Sequence, residues 1–80
     1  MKILLFAGVR DRVGSPSIEL SAPCATVAEL RVRLAAYWPG VAAILPVCAI
    51  AVDGEYAHDS TPLDDAQEIA VIPPVSGGSR

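Results

Sequence analysis

One stretch of this 80-residue chain carries the full signature of a helix, and the rest of the fold has to be built around it. In "TVAELRVRLAAYWPG", residues 26–40, Val27, Leu30, Leu34 and Tyr37 recur at spacings of three and four. That spacing gathers them on one stripe and leaves Arg31 and Arg33 in water. Thr26 is placed to cap the first turn, and Glu29 to reach back to the Thr26 amide in a reciprocal capping box. Pro39-Gly40 ends the helix. A helix with a single apolar stripe needs one apolar sheet face to bury it, which predicts two layers.

The strands of that sheet are legible on either side. "KILLFAGV", closed by Gly8, is apolar throughout and too short for a helix, so it is expected to be a central strand buried on both faces. After a loop, "RDRVGSP", the segment "SIELS" alternates Ile18 and Leu20 with polar neighbours, as a half-buried strand does, and should pair with the first as a hairpin. Beyond the helix, "VAAIL" is expected to make a further short turn. "CAIAVDGEYA" then reads as a strand, an Asp53-Gly54 turn and the start of its return, because Asp-Gly supplies the positive φ angles of a two-residue hairpin turn. "HDSTPLDDA" is a polar connection, and "QEIAVI" is the last strand, stopped where Pro73-Pro74 remove two ladder donors. The expectation is an α+β roll: a sheet of four to five strands with one main helix packed across it. Residues 1–74 form its single domain and residues 75–80 a flexible tail.

Charge narrows the partners. The net charge is −3, the wrong sign for neutralising phosphates, so nucleic acid is excluded. Five of the six basic residues lie in the first 33 positions, and six of the nine acids fall between Asp53 and Glu68. This is either an ordinary solvated surface or an acidic patch for a basic partner. Cys24 and Cys48, with no CxxC motif and a single His58, suggest neither a zinc site nor a disulfide scaffold and read as small buried hydrophobes. No apolar run approaches a membrane span or a signal-peptide core, which makes the cytoplasm the expected compartment.

A catalytic constellation is not visible. His58 sits beside Asp59 in a polar loop with no Ser or Cys placed as its nucleophile. Asp64-Asp65 read as turn residues rather than paired catalytic carboxylates. A domain this small buries only about 60% of its unfolded surface, so its apolar residues are needed for the core and leave no walls for a deep pocket. The size fits a carrier or an adaptor, not an enzyme acting alone. The remaining candidate is the end of the chain, "VIPPVSGGSR". Gly77-Gly78 lack Cβ atoms and can enter a channel too narrow for other residues. Pro73-Pro74 hold the exit extended and limit the entropy lost on insertion. Taken alone, such an ending is better read as a frayed, flexible terminus.

"KILLFAGVRDRVG", "TVAELRVRL", "AVDGEY" and "TPLDDAQEIAVIPPVSGG", in this order and spacing, resemble the family of molybdopterin synthase small subunits, a group of sulfur carriers, from residue 2 to residue 78. The resemblance implies a ubiquitin-like β-grasp fold. It implies that Gly78 is the reactive terminus, adenylated by an E1-like adenylyltransferase that uses ATP, and converted to a thiocarboxylate with sulfur from a donor protein. The thiocarboxylate then gives its sulfur to a cyclic pyranopterin precursor in the large subunit, within a heterotetramer. It also implies that the tail Pro73, Pro74, Val75, Ser76 and Gly77 inserts into the partner, that Phe6, Tyr56 and Ile72 form the apolar docking surface, and that no cofactor or metal is bound by the carrier itself. Each docking residue has a rival role, since Phe6 and Ile72 lie in apolar strands and are able to point inward; Tyr56, just after a turn, is the clearest surface residue.

The chain departs from the family pattern at three places: Asp53 where Asn is usual, Ala66-Gln67 where Gly-Asp is usual, and Ser79-Arg80 after Gly78. The first two are turn positions. The third leaves Gly78 without a carboxylate, so either a protease removes Ser79-Arg80 or the extension is foreign to the mature protein. Two other roles remain open, a carrier for thiamine or another thiolated product and a β-grasp adaptor that never uses its terminus.

Overall fold

In the computed structural model, which describes residues 1–21, 24–63 and 68–74, all five strands join in one mixed sheet. The chain runs β1 (Lys2–Leu5), α1 (Ala7–Val13), β2 (Ser17–Glu19), α2 (Val27–Tyr37), 3₁₀ turns at Pro39–Val41 and Leu45–Val47, β3 (Ala49–Val52), β4 (Glu55–Ala57) and β5 (Ile69–Ile72). The strand order is β2-β1-β5-β3-β4, with β1 and β5 parallel and every other pair antiparallel. This is the expected α+β roll with five strands and α2 as its main helix, plus one helix the sequence did not announce.

That helix corrects the reading of the first apolar run. β1 ends at Leu5, and "AGVRDRV" is α1 rather than more strand and loop. Val9 and Val13, four apart, lie on its inner side, Val9 fully buried, and Gly14 closes it in the left-handed region (φ 88°) with its N–H donating to Arg10 O at 2.8 Å. β1 and β2 do pair, but through α1 instead of a plain loop. Nor is β1 buried on both faces: Ile3 and Leu5 are buried, Leu4 is half-buried and Lys2 exposed. It is an interior strand, and the middle place belongs to β5.

Between sheet and helix lies one core. Ile3, Leu5, Ile50, Ile69 and Val71 come from the sheet, Val27, Leu30 and Leu34 from α2, with Val9, Leu20, Val41, Leu45 and Leu63 closing the rim. Cys24 and Cys48 are free thiols in this core, as expected. Tyr37 is not part of it; the side chain is 58% exposed, and Trp38 turns inward in its place, edge-on to the Tyr37 ring at 5.8 Å.

α2 is capped more extensively than its sequence indicates. The Thr26 hydroxyl accepts the Glu29 amide (3.3 Å), but the Glu29 carboxylate accepts the Ala25 amide (2.6 Å), one residue earlier than the expected box. The loop after β4 supplies two more acceptors, Thr61 O for Val27 N and Asp59 O for Ala28 N, so first-turn donors that a helix leaves open are met by main chain. Arg31 and Arg33 are also less solvated than expected. Arg31 donates to Asp59 Oδ1 (2.9 Å) and to Leu45 O, pinning helix, loop and 3₁₀ turn together, and Arg33 pairs with Glu29 at 2.9 Å.

Candidate functional site

Alternation along the strands gives the sheet a second face, with no helix over it among the described residues. Its register sets Ser17, Leu4, Ala70, Ala51 and Tyr56 side by side across all five strands. Ile72, opposite Ala49, stands one step along the same face, and Phe6 follows Leu4 in extended backbone (φ −126°, ψ 150°). Because the middle strands carry alanine here while the flanking positions carry Leu4, Phe6, Tyr56 and Ile72, the surface is concave. The result is an open groove of about 310 Å³ lined by those four side chains with Ala51, Gly54, Glu68 and Ala70.

The three predicted docking residues therefore share one groove. Tyr56 is 77% exposed and Phe6 44%, and Ile72 is half-buried in the groove wall; neither Phe6 nor Ile72 points into the core. Two large apolar side chains, Phe6 and Tyr56, are thus left bare on one face. Phe6 is turned outward where the chain leaves β1 for α1, at Ala7, whose φ of 47° is a conformation that non-glycine residues seldom adopt. Tyr56 is raised by the β3–β4 turn, which has the predicted two-residue form, with Asp53 at φ 51° and Gly54 at φ 89°. The Asp53 carboxylate accepts the Glu68 amide (2.8 Å), and the Asp53 amide donates to Glu68 O (2.8 Å), which locks the turn to the start of β5.

Leu4, Ala51 and Ala70 line the groove without having been singled out in the sequence, where Gly54 reads only as a turn residue and Glu68 only as part of a possible acidic patch. The signal for most of them was present as period-two alternation, Leu4 with Phe6 and Glu68 with Ala70 and Ile72. It was masked because the alternate residues in the same strands are apolar too.

Pro73 and Pro74 continue directly from Ile72 at one end of the groove, Pro73 half-buried and Pro74 exposed. The further tail residues Val75, Ser76, Gly77 and Gly78, the extension Ser79-Arg80, and Asp64, Asp65, Ala66 and Gln67 lie outside the described residues.

Elsewhere the candidates are weaker. His58 is exposed, and the carboxylate beside it, Asp59, is held by Arg31. A second hollow, about 330 Å³ between α2 and the Leu45–Val47 turn, contains that same ion pair, so its polar groups already serve one another. Burial pushes the thiols of Cys24 and Cys48 up, partly offset by Arg33 and Arg31 respectively, which makes them poor nucleophiles. Among the described residues no three His, Cys, Asp or Glu side chains gather in a way that could hold a metal ion.

The stretch matched in known proteins spans both the groove residues and the tail sequence. The model of the ThiS family matches residues 3–78, ending at Gly78. The molybdopterin synthase sulfur carrier subunit of Escherichia coli (strain K12) is 38% identical over 80 residues, covering 98% of this chain and 99% of that protein. Among solved structures, a putative molybdopterin converting factor subunit 1 from Pyrococcus furiosus superposes with a TM-score of 0.80 at 25% identity, covering 92% of this chain and 95% of that one. A chain from the complex of subunits 1 and 2 of the molybdopterin-converting factor from Helicobacter pylori 26695 superposes with a TM-score of 0.67 at 29% identity, covering 96% of each.

Proposed function

The chain belongs to the ThiS family, and from that premise we propose that it is the sulfur-carrier subunit of a molybdopterin synthase, acting in molybdenum cofactor biosynthesis. The observation that carries this reading is a juxtaposition. An apolar groove crosses the open sheet face, and its wall residue Ile72 leads through Pro73 and Pro74 into the segment that ends the family match at Gly78. A partner seated on the groove by Phe6, Tyr56 and Ile72 has the tail delivered toward its own active site. The partner assigned to use the sulfur is the large subunit, a pairing supported by the complex of subunits 1 and 2 of the molybdopterin-converting factor from Helicobacter pylori.

The chemistry assigned to the tail belongs to Gly78. Its carboxylate exists once water has cleaved the Gly78–Ser79 bond. That carboxylate, a poor electrophile, attacks the α-phosphorus of ATP on an E1-like adenylyltransferase, releasing pyrophosphate and forming an acyl-adenylate. The terminal sulfur of a persulfide on a sulfur donor protein displaces AMP to give an acyl disulfide, and a thiol reductant cleaves its S–S bond, becoming oxidised to a disulfide with the donor thiol, which leaves a glycyl thiocarboxylate. Its anionic sulfur is the nucleophile for the pyranopterin precursor, and two such transfers complete a dithiolene. The carrier holds no cofactor in this scheme; acid, base and substrate pocket come from the partner. The cytoplasm, where ATP is available, is the compartment assigned in this scheme; no helix among the described residues is long and apolar enough to cross a membrane.

The test is intact mass. Protein ending at Gly78, incubated with the adenylyltransferase, ATP and a sulfide source, is expected to exchange one oxygen for sulfur. Adding the large subunit and the precursor should return it to the carboxylate as dithiolene product appears. An unchanged mass in the first step rules out a carrier, and a loaded carrier that never discharges to this large subunit rules out molybdopterin as its product.

A further inference from the structure

We propose that Glu68 is the specificity-determining charge of the docking groove, receiving a Lys or Arg side chain from the large subunit when the groove is covered. The inference rests on the carrier reading and deepens it. Of the described residues that line the groove, Glu68 alone bears a charge; the others are aliphatic, aromatic or glycine. Its main chain is clamped on both sides by Asp53, so the root of the side chain does not drift. The ion pairs among the described residues are Met1 with Glu19, Arg31 with Asp59 and Arg33 with Glu29; none includes Glu68, and none joins it to Lys2 on the neighbouring strand.

In the free protein this carboxylate is exposed and water solvates it. An apolar partner surface closing over Phe6, Tyr56 and Ile72 takes that water away, and a carboxylate sealed in an apolar contact persists only if a cation meets it. The Asp53 carboxylate, which accepts the Glu68 amide, adds a second negative group beside it, so the complementary surface is apolar with a basic group at one end. An apolar anchor alone fixes affinity but not rotation on the sheet. The Glu68 pair fixes both the identity of the partner and its register, which a tail aimed at a distant active site requires.

Calorimetric titration of the cognate large subunit with wild-type protein, Glu68→Gln, Glu68→Lys and Lys2→Met tests the assignment. Glu68→Gln should weaken binding about 30-fold or more, as removal of one partner of a desolvated pair does. Glu68→Lys should weaken it further, Lys2→Met should change it little, and thermal melting of the Glu68 variants should match wild type. Unchanged or tighter binding by Glu68→Gln overturns the proposal while leaving the carrier reading intact. An equal loss in Lys2→Met also overturns it, because the cation would then be internal. Self-association lost in Glu68→Lys with large-subunit affinity unchanged assigns the groove to a second copy and overturns it as well. A wild-type protein that fails to bind the large subunit at all defeats the carrier reading, and this inference with it.

Discussion

At the level of single residues the structure separates side chains that hold the fold from side chains held out by it. Tyr56 is the clearest of the second kind: 77% exposed, on an edge strand, raised by a turn that needs two positive φ angles. Tyr56→Ala is expected to change unfolding free energy by no more than about 0.5 kcal/mol, yet to weaken large-subunit binding by about 2 kcal/mol or more, as loss of an aromatic anchor does. Urea unfolding and calorimetry on the same variant check both halves, and a large loss of stability would place Tyr56 in the core instead. Gly54 is its counterpart. A Cβ there meets nothing within 4 Å, so Gly54→Ala costs only backbone strain at φ 89°, about 1 kcal/mol. A null effect in urea unfolding would mean that the turn relaxes.

Elements follow from these residues unevenly. α2 is specified twice over, by its stripe and by its cap, and each contribution has its own test. Leu30, fully buried, should cost about 2–5 kcal/mol on replacement by Ala, read from the urea midpoint. The cap adds a pH dependence. The Ala25 amide, and then Arg33, hold the Glu29 carboxyl below its ordinary value of 4.5. A carboxyl that is more acidic in the folded state stabilises the fold fully above the unfolded value and loses that contribution as pH falls through the folded one. Wild-type stability should therefore drop more steeply below pH 4.5 than that of Glu29→Gln, and parallel curves would dismiss the cap as a source of acid sensitivity. α2 and the β3–β4 hairpin were legible because their signals are local, a periodic stripe between a capping residue and a proline, and an Asp-Gly pair. α1 was not. Its seven residues give only Val9 and Val13 as a stripe, and the break that starts it lies at Ala7, a residue type that does not advertise positive φ. The groove was half legible for a related reason. Tyr56 declares itself beside a turn, whereas Leu4 and Ala70 have apolar residues on both sides of them in their strands, where only the register decides which face each residue joins.

For the molecule as a whole, the division of the sheet into a covered face and a bare one lets one small domain be stable and adhesive at once. It also bears on where sulfur can go. A carrier loaded by a sulfur donor must offer its terminus and no competing nucleophile, and this chain contains two cysteines. Both are 3% exposed, between sheet and helices and away from the groove, and burial holds both thiols protonated beyond their ordinary range. The thiolate is the form that attacks a persulfide or an alkylating reagent, so a buried, protonated thiol reacts only when the protein opens. Iodoacetamide at mildly alkaline pH should accordingly label neither Cys24 nor Cys48 at the rate of a free thiol. Sub-denaturing urea should accelerate labelling in proportion to the unfolded population, and Leu30→Ala, by raising that population, should accelerate it without urea. Intact mass resolves the number of adducts, and fast stoichiometric labelling of the native protein would remove the core from any role in directing sulfur to the terminus.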